Sequence, residues 1–386
     1  MNKREARLLV SKYNKGKASE AEKASLNDWY ARESLRQMQN PEIEDYVRIK
    51  TEVWTAIAAG SKPQTKLWPW LSAAVSLFIV ISLGLYFWPE QDIPAGINTA
   101  TLTLANGKTI QLNSAKSGVV IDASKLTYSD GTAILSPKDT STIGGRLNTK
   151  YSLLNTIKIT TPRGGQYQVK LPDGTSIFMN AASSITFPLT FAGLKERRVQ
   201  MSGEAYFKVR HNKNQPFLVT TQGQIVEDLG TEFNINAYAD EPAIKTTLVE
   251  GSAIVRLAIN GSKVSTQYPP LEGAGGGRTR EVTLKPGQES TLNDNMIKVN
   301  TVDPLEATAW QQGYFVFNEE NLGSIMRKVS RWYNVKITYK DPEVSKQTFS
   351  GTMSRFKTVS KILSKIELTK AARFSVQGNT ITVMKY

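Results

Sequence analysis

Cysteine is missing from the chain altogether, and histidine occurs once, as His211, in 386 residues. The first absence excludes disulfide staples, thiol nucleophiles, zinc ribbons and iron–sulfur sites together. The second leaves no material for a histidine-built metal centre, and the two combined exclude most nucleophile–base triads. Neither a G-x-S-x-G elbow nor an H-E-x-x-H pair occurs. Gly107-Lys108-Thr109 looks like the end of a P-loop, but Leu102 stands where that loop needs its first glycine. Gly164-Gly165 lacks a third glycine at dinucleotide spacing. No carboxylate pair is singled out as an acid–base couple, and Glu204 within Gly203-Glu204-Ala205-Tyr206-Phe207 reads as a turn-to-strand position. No metal or cofactor is expected, and the chain is read as a non-enzyme.

Charge is present in excess of one sign. Lysine and arginine outnumber the acids by 48 to 34, a net +14, which permits non-specific contact with anions and says nothing more specific. One segment has no charge at all. Residues 68–88, WPWLSAAVSLFIVISLGLYFW, carry only Ser72, Ser76 and Ser82 as hydrophilic side chains. As a helix they would span about 30 Å, the thickness of a bilayer core. Trp68, Trp70, Tyr86 and Trp88 stand at the two ends, where interfacial aromatics collect. The run predicts one transmembrane helix, and the 67 largely polar residues before it are too many for a cleavable signal. Lys62 and Lys66 flank it on one side, and Pro89, Glu90, Gln91 and Asp92 on the other. The positive-inside rule then puts the N-terminus in the cytoplasm and residues 89–386 outside the membrane.

Residues 1–62 read as a small all-α head of three short helices. Ser19 and Glu22 make a capping box at the start of the second, and Asn40-Pro41 opens the third. So small a domain barely covers its own apolar stripes, which carry Leu26, Trp29, Val47 and Trp54. These four are either core or the anchors of a protein partner. Residues 1–67 have an excess of only four positive charges, 13 Lys/Arg against 9 Asp/Glu, so direct nucleic-acid binding is not expected.

From residue 99 to about 300 the pattern alternates as half-buried strands do, as in Thr101–Leu104, Gln168–Leu171 and Ala205–Val209. Turn signals recur at Asn106-Gly107, Asp130-Gly131, Asp173-Gly174, Asn260-Gly261 and Pro286-Gly287. LANGKTIQLNSA at 104–115 aligns without gaps to LPDGTSIFMNAA at 171–182. Repeated hairpins predict a stacked, elongated β-structure rather than a closed barrel. A glycine-rich run at 273–277 reads as an insertion. Residues 313–386 then read β-α-β-β-α-β-β, a small α+β domain with two helices on one sheet face.

Between 160 and 250 the sequence carries an ordered series: Thr161-Pro162-Arg163-Gly164-Gly165-Gln166-Tyr167, LPDGTSIFMNAASSITFP, Arg198-Val199, GEAYFKV, PFLVTT, LGTEFNINAY and TTLVEG. Together with Lys285-Pro286-Gly287-Gln288 it resembles the FecR-type anti-sigma family. WQQGYFVFNEENLGSIMRKVSRWYNVKITY, followed by FSGTMS, resembles the small C-terminal domain of Bacteroidetes members, itself similar to the short N-terminal domain of secretins and TonB-dependent receptors. The resemblance implies a transmembrane transducer without a catalytic centre. Its head would hold an extracytoplasmic-function sigma factor. Its outer part would sense the signalling domain of a TonB-dependent outer-membrane receptor, with an open sheet edge near Tyr314, Phe315, Phe317 and Phe349 as the contact. In some relatives the periplasmic domain cuts itself at a Gly-Thr bond by an N→O acyl shift, and Gly230-Thr231 in LGTEF stands at the matching place. The same dipeptide is also a sound turn-to-strand junction, as Gly174-Thr175 is, and both readings stay open. Two rival classes remain beside the transducer: a membrane-anchored glycan-binding module without a sigma factor, and a tethered hydrolase built on carboxylates.

Overall fold

The computed structural model describes residues 92–122, 125–134, 156–228, 230–258 and 280–386, with Glu5, Lys12, Ser19, 21–23 and Ser25 nearer the N-terminus. The transmembrane segment expected at 68–88, the glycine run at 273–277 and the four proposed sigma-contact residues Leu26, Trp29, Val47 and Trp54 lie outside the described residues. Among the described residues no helix is long and apolar enough to cross a membrane. The chain divides into two compact units, 1–89 and 90–386.

In the first unit, Glu5, Lys12, 21–23 and Ser25 are helical. The expected capping box is present. The Ser19 N–H donates to Glu22 Oε2 at 2.8 Å, and the Glu22 N–H donates back to Ser19 Oγ at 3.4 Å. Lys12, with Nζ 2.5 Å from Glu22 Oε1, does most to hold that exposed carboxyl below its usual range.

The second unit is mostly β. Two nine-stranded sheets face each other across one core. The first runs, neighbour by neighbour, Thr109–Gln111, Thr101–Thr103, Thr156–Thr160, Ser184–Pro188, Arg197–Lys208, Phe217–Thr220, Gln224–Asp228, Ala253–Leu257 and Glu281–Leu284. The second runs Lys125–Tyr128, Gly118–Asp122, Gly165–Lys170, Ser176–Met179, Arg197–Lys208 again, Glu232–Ala237, Ile244–Glu250, Gln288–Asn293 and Met296–Thr301. The twelve-residue strand Arg197–Lys208 serves both layers, its first half in one sheet and its second half in the other. It turns the corner at Gly203, where φ is +84° and a Cβ would meet Ser183 Oγ at 2.5 Å. Alternation supplies the core: Leu102, Ile157 and Ile159 face inward from one sheet, and Val169, Ile177 and Met179 from the other.

The internal repeat is a repeat of hydrogen bonds. Leu104 N–H donates to Lys108 O and Gly107 N–H to Leu104 O. Sixty-seven residues on, Leu171 donates to Thr175 and Gly174 to Leu171 in the same way. Asn106 Oδ1 and Asp173 Oδ1 each accept the N–H two residues ahead. The short polar side chain and the left-handed glycine thus make the same turn twice.

The C-terminal region follows the expected order with one correction. The single sheet is two sheets. Tyr314–Asn321 pairs antiparallel with Thr348–Ser354, while Lys336–Tyr339, Thr380–Met384 and Arg373–Gln377 form a separate three-stranded sheet. Between Tyr339 and Thr348 the 3₁₀ turn Pro342–Lys346, opened by Asp341 and its following proline, leads the chain away from the strand it has just left. The helices Leu322–Tyr333 and Val359–Glu367 close the second core over both sheets. Residues 313–386 pack against the sandwich within the 90–386 unit.

Candidate functional site

The seam between sandwich and C-terminal region gathers the polar chemistry of the second unit. Arg355 lies in its middle. The side chain is 1% exposed, and its guanidinium sits 3.9 Å from the ring centroid of Trp332. Nη1 donates to Trp310 O at 2.8 Å and Nη2 to Asn180 Oδ1 at 2.7 Å, while Nε has no partner. Its nearest anion is held at one remove. Asn180 Nδ2 donates to Glu204 Oε2 at 2.6 Å, Asn234 Nδ2 donates to Glu204 Oε1 at 3.1 Å, and Trp310 Nε1 donates to Asn234 Oδ1 at 3.1 Å. Burial pulls the Arg355 guanidinium down to about 10, with Glu204 opposing. Glu204, expected as a turn-to-strand residue, is thus the anionic end of a buried amide relay.

At the upper edge of the seam, Arg331 donates to both oxygens of Asp240, at 2.9 and 3.0 Å, and to Glu241 Oε1 at 2.5 Å. Arg327 donates twice to Glu241 Oε2. Burial pushes the Glu241 carboxyl up, but the hydrogen bonds and charges of Arg327 and Arg331 outweigh it and hold it below the ordinary range. A carboxylate depressed in the folded state contributes stability above its unfolded pKa and loses it as the pH falls through the folded one. The stability gap between wild type and Glu241→Gln is therefore expected to be full at neutral pH and to close below about pH 4, which urea melts at the two pH values measure.

The lower edge is built by Thr161–Tyr167, singled out in the sequence. Gly165 N–H donates to Pro162 O, and Gly164, at φ +73°, takes the third position of the turn. The Gly164 N–H donates to Arg331 O at 2.8 Å, and Arg163 donates to Ser330 Oγ and to Val335 O. Beside the Glu241, Arg327 and Arg331 cluster opens a cleft of about 420 Å³, lined also by Glu204, Asn236, Lys245, Glu289, Trp310 and Phe317.

Of the four residues proposed for receptor contact, only Tyr314 is exposed. Phe315, Phe317 and Phe349 are core, with Phe315 and Phe317 stacked at 5.7 Å and Phe349 edge-on to Phe317 at 6.0 Å. The strand alternates, and its odd-numbered phenylalanines fall on the inner face. What that strand offers outward is its backbone edge along the cleft and the Tyr314 ring, not the three phenylalanines.

Gly230-Thr231 leads into the strand Glu232–Ala237, at a bulge where the register with Ile244–Glu250 shifts. Gly230 has φ +105°, and a Cβ there would lie 2.2 Å from Nδ1 of His211, the chain's one histidine. The Thr231 hydroxyl is buried without a hydrogen-bond partner. The junction reading describes where the pair stands; the close approach of His211 and the unpartnered hydroxyl go beyond what a plain junction requires. Among the described residues no group of three or more His, Asp or Glu is placed to hold a metal ion.

Comparison with known families finds the FecR protein family at residues 157–253 and the FecR C-terminal family at 314–383. Among solved structures, two crystal structures of a candidate anti-sigma factor from Parabacteroides distasonis ATCC 8503, at 2.50 and 1.65 Å resolution, are similar. Each has a TM-score of 0.51 and 26% identity, and the matches cover 60% and 59% of this chain and 99% of theirs. No curated protein matches significantly.

Proposed function

From the premise that the chain belongs to the FecR-type anti-sigma family, and is a sigma-factor regulator, we propose that it is a single-pass inner-membrane transducer. Residues 1–62 bind an extracytoplasmic-function sigma factor in the cytoplasm, residues 68–88 cross the membrane, and the 90–386 unit lies in the periplasm. There it receives the signalling domain of a TonB-dependent outer-membrane receptor. The observation that carries this reading is the order of parts: a polar head, an uncharged run of 21 residues, and then both FecR regions in one compact unit. A sequence of only 62 residues has little means of burying the apolar stripes it carries, which supports a protein partner for the head. Co-purification from detergent separates the readings, since a sigma factor should accompany the full chain and should not accompany a glycan-binding module. Trp29→Ala or Trp54→Ala should weaken that association by about 2 kcal/mol or more. Two folded variants binding like wild type would move the contact elsewhere.

For the receptor, deletion of 313–386 is a poor test, because it uncovers Trp310 and the amide relay beneath it. Tyr314→Ala removes the exposed ring and leaves the core intact, and should reduce receptor response while the melting temperature holds. The Gly230-Thr231 bond supports a second activity, one self-cleavage per chain, in which the Thr231 hydroxyl attacks the Gly230 carbonyl.

A further inference from the structure

We propose that residues 92–99, the first residues after the apolar run and its short flank, form a strap that latches the C-terminal region to the sandwich, so that opening the seam and releasing the strap are one event. The strap is bonded to both sides. On the C-terminal side, Val359 N–H donates to Ile93 O at 3.0 Å, and the Ser360 N–H and hydroxyl both donate to Asp92 Oδ1, at 3.2 and 2.8 Å. These N–H groups belong to the first turn of the helix Val359–Glu367, and its own N-cap residue, Thr358, makes no side-chain capping bond. The strap therefore caps that helix from more than 260 residues away in sequence. Burial pushes the Asp92 carboxyl up, but hydrogen bonds from Thr358 and Ser360 outweigh it, which fits a capping anion.

Ile93 and Ala95 pack against the second core. Gly96 lies so close to the seam that a Cβ would stand 2.7 Å from Trp332 Cε3 and 2.8 Å from Gly164 O. On the sandwich side, Ile97–Asn98 adds a short parallel strand beside Gly165-Gln166, with Ile97 N–H donating to Gly164 O at 2.9 Å and Thr99 N–H to Gln166 O at 3.0 Å. The peptide group of Gly164 joins all three parts: its carbonyl accepts from the strap, and its N–H donates to Arg331 of the helix Leu322–Tyr333.

Separating the C-terminal region from the sandwich breaks one set of these bonds: Ile97 and Thr99 keep their partners on the sandwich, while Asp92 and Ile93 lose Ser360 and Val359. Residues 92–96 then become free, on the order of 15 Å of chain. On the membrane-transducer reading, which gives the latch its purpose, a ligand acting on the seam would change the tether between the outer unit and the membrane without touching the membrane. The latch itself is independent of that reading, because the bonds it rests on lie wholly within residues 90–386.

Native-state hydrogen exchange on the full chain in detergent, read by peptide mass across a series of sub-denaturing urea concentrations, tests it. Peptides covering 92–99 and the start of the 359–367 helix should lose protection together, with one urea dependence, and before peptides of the sandwich core such as 176–179. Asp92→Ala should speed exchange in both segments by one common factor of about five to ten. Gly96→Ala, which forces the strap off Trp332, should do the same. Strap and helix peptides exchanging with different urea dependences would overturn the latch, as would a change confined to one of them in either variant. So would protection of both that is lost only together with the sandwich core. If exchange is coupled as expected and no sigma factor co-purifies, the latch stands and the regulator reading of its purpose fails.

Discussion

Replacing Arg355 with alanine is expected to destabilise the 90–386 unit by about 3–5 kcal/mol, the largest effect of any single substitution in the seam. Two losses add. The side chain is fully buried and stacked on Trp332, so its removal leaves a cavity between two aromatic walls. It also removes the charged donor from Trp310 O and from Asn180 Oδ1, which keep only the N–H groups of Gly313 and Ala181. A buried charge next to a direct carboxylate would make the outcome harder to sign, since exchanging such a pair for apolar groups is often neutral. Here Glu204 stands one amide away and keeps its bonds to Asn180 and Asn234 when the arginine goes. Arg355→Met fills most of the space and should cost less than alanine. Arg355→Lys should not restore wild-type stability, because an ammonium cannot lie flat on the indole and reach two acceptors at once. Urea unfolding followed by tryptophan fluorescence is a direct readout, with Trp310 and Trp332 both at the seam. The alanine variant should also separate one transition into two, the C-terminal region loosening first. An alanine variant within about 1 kcal/mol of wild type, melting in one step, would show that Arg355 merely occupies the seam.

That residue also marks the limit of what the sequence discloses. Local pattern is legible: alternation announces the strands, Asn106-Gly107 and Asp173-Gly174 announce their turns, and the 322–333 helix is expected with the bounds it has. Each of those signals is set by residues a few positions apart. The seam is set by pairs such as Arg163 with Ser330, or Asn180 with Arg355, separated by more than 160 residues. No periodicity encodes them. The series Thr161–Tyr167 was visible as a motif, but its role as a joint depends on where Arg331 and Ile97 arrive. The split of the C-terminal sheet was hidden for a related reason. Strand propensity identifies Lys336–Tyr339 and Thr348–Ser354 but does not choose their partners, and both pair elsewhere. An open strand edge near Tyr314 does not by itself put the neighbouring phenylalanines on the surface. Alternation along the same strand already placed Phe315 and Phe317 on one face together, and two aromatics on one face of a short strand belong to a core. His211 gave no signal beyond its rarity, since only the fold brings it against Gly230.

Thr231→Ala is expected to abolish any cut between Gly230 and Thr231, an all-or-none effect on the length of the chain. In the proposed step the Thr231 hydroxyl oxygen attacks the Gly230 carbonyl carbon. The C–N bond breaks, and the hydroxyl proton ends on the Thr231 amine. Water then hydrolyses the ester, leaving a Gly230 carboxylate on one fragment and a free Thr231 amine on the other. The local structure supplies what such a step needs: a glycine held at φ +105°, a buried hydroxyl with no hydrogen bond to give up, and an imidazole packed against the glycine. Thr231→Ser and Thr231→Cys keep a nucleophile at the same position and should retain cleavage at a reduced rate. His211→Gln should slow it, by removing the imidazole packed against Gly230. Intact-mass spectrometry on freshly purified and then incubated chain decides the matter. Cleavage gives fragments ending at residue 230 and beginning at residue 231. If the wild type stays at 42.7 kDa through prolonged incubation, the pair is only the junction that opens the strand Glu232–Ala237. In that case Thr231→Ala should cost no more than about 1 kcal/mol of strand preference.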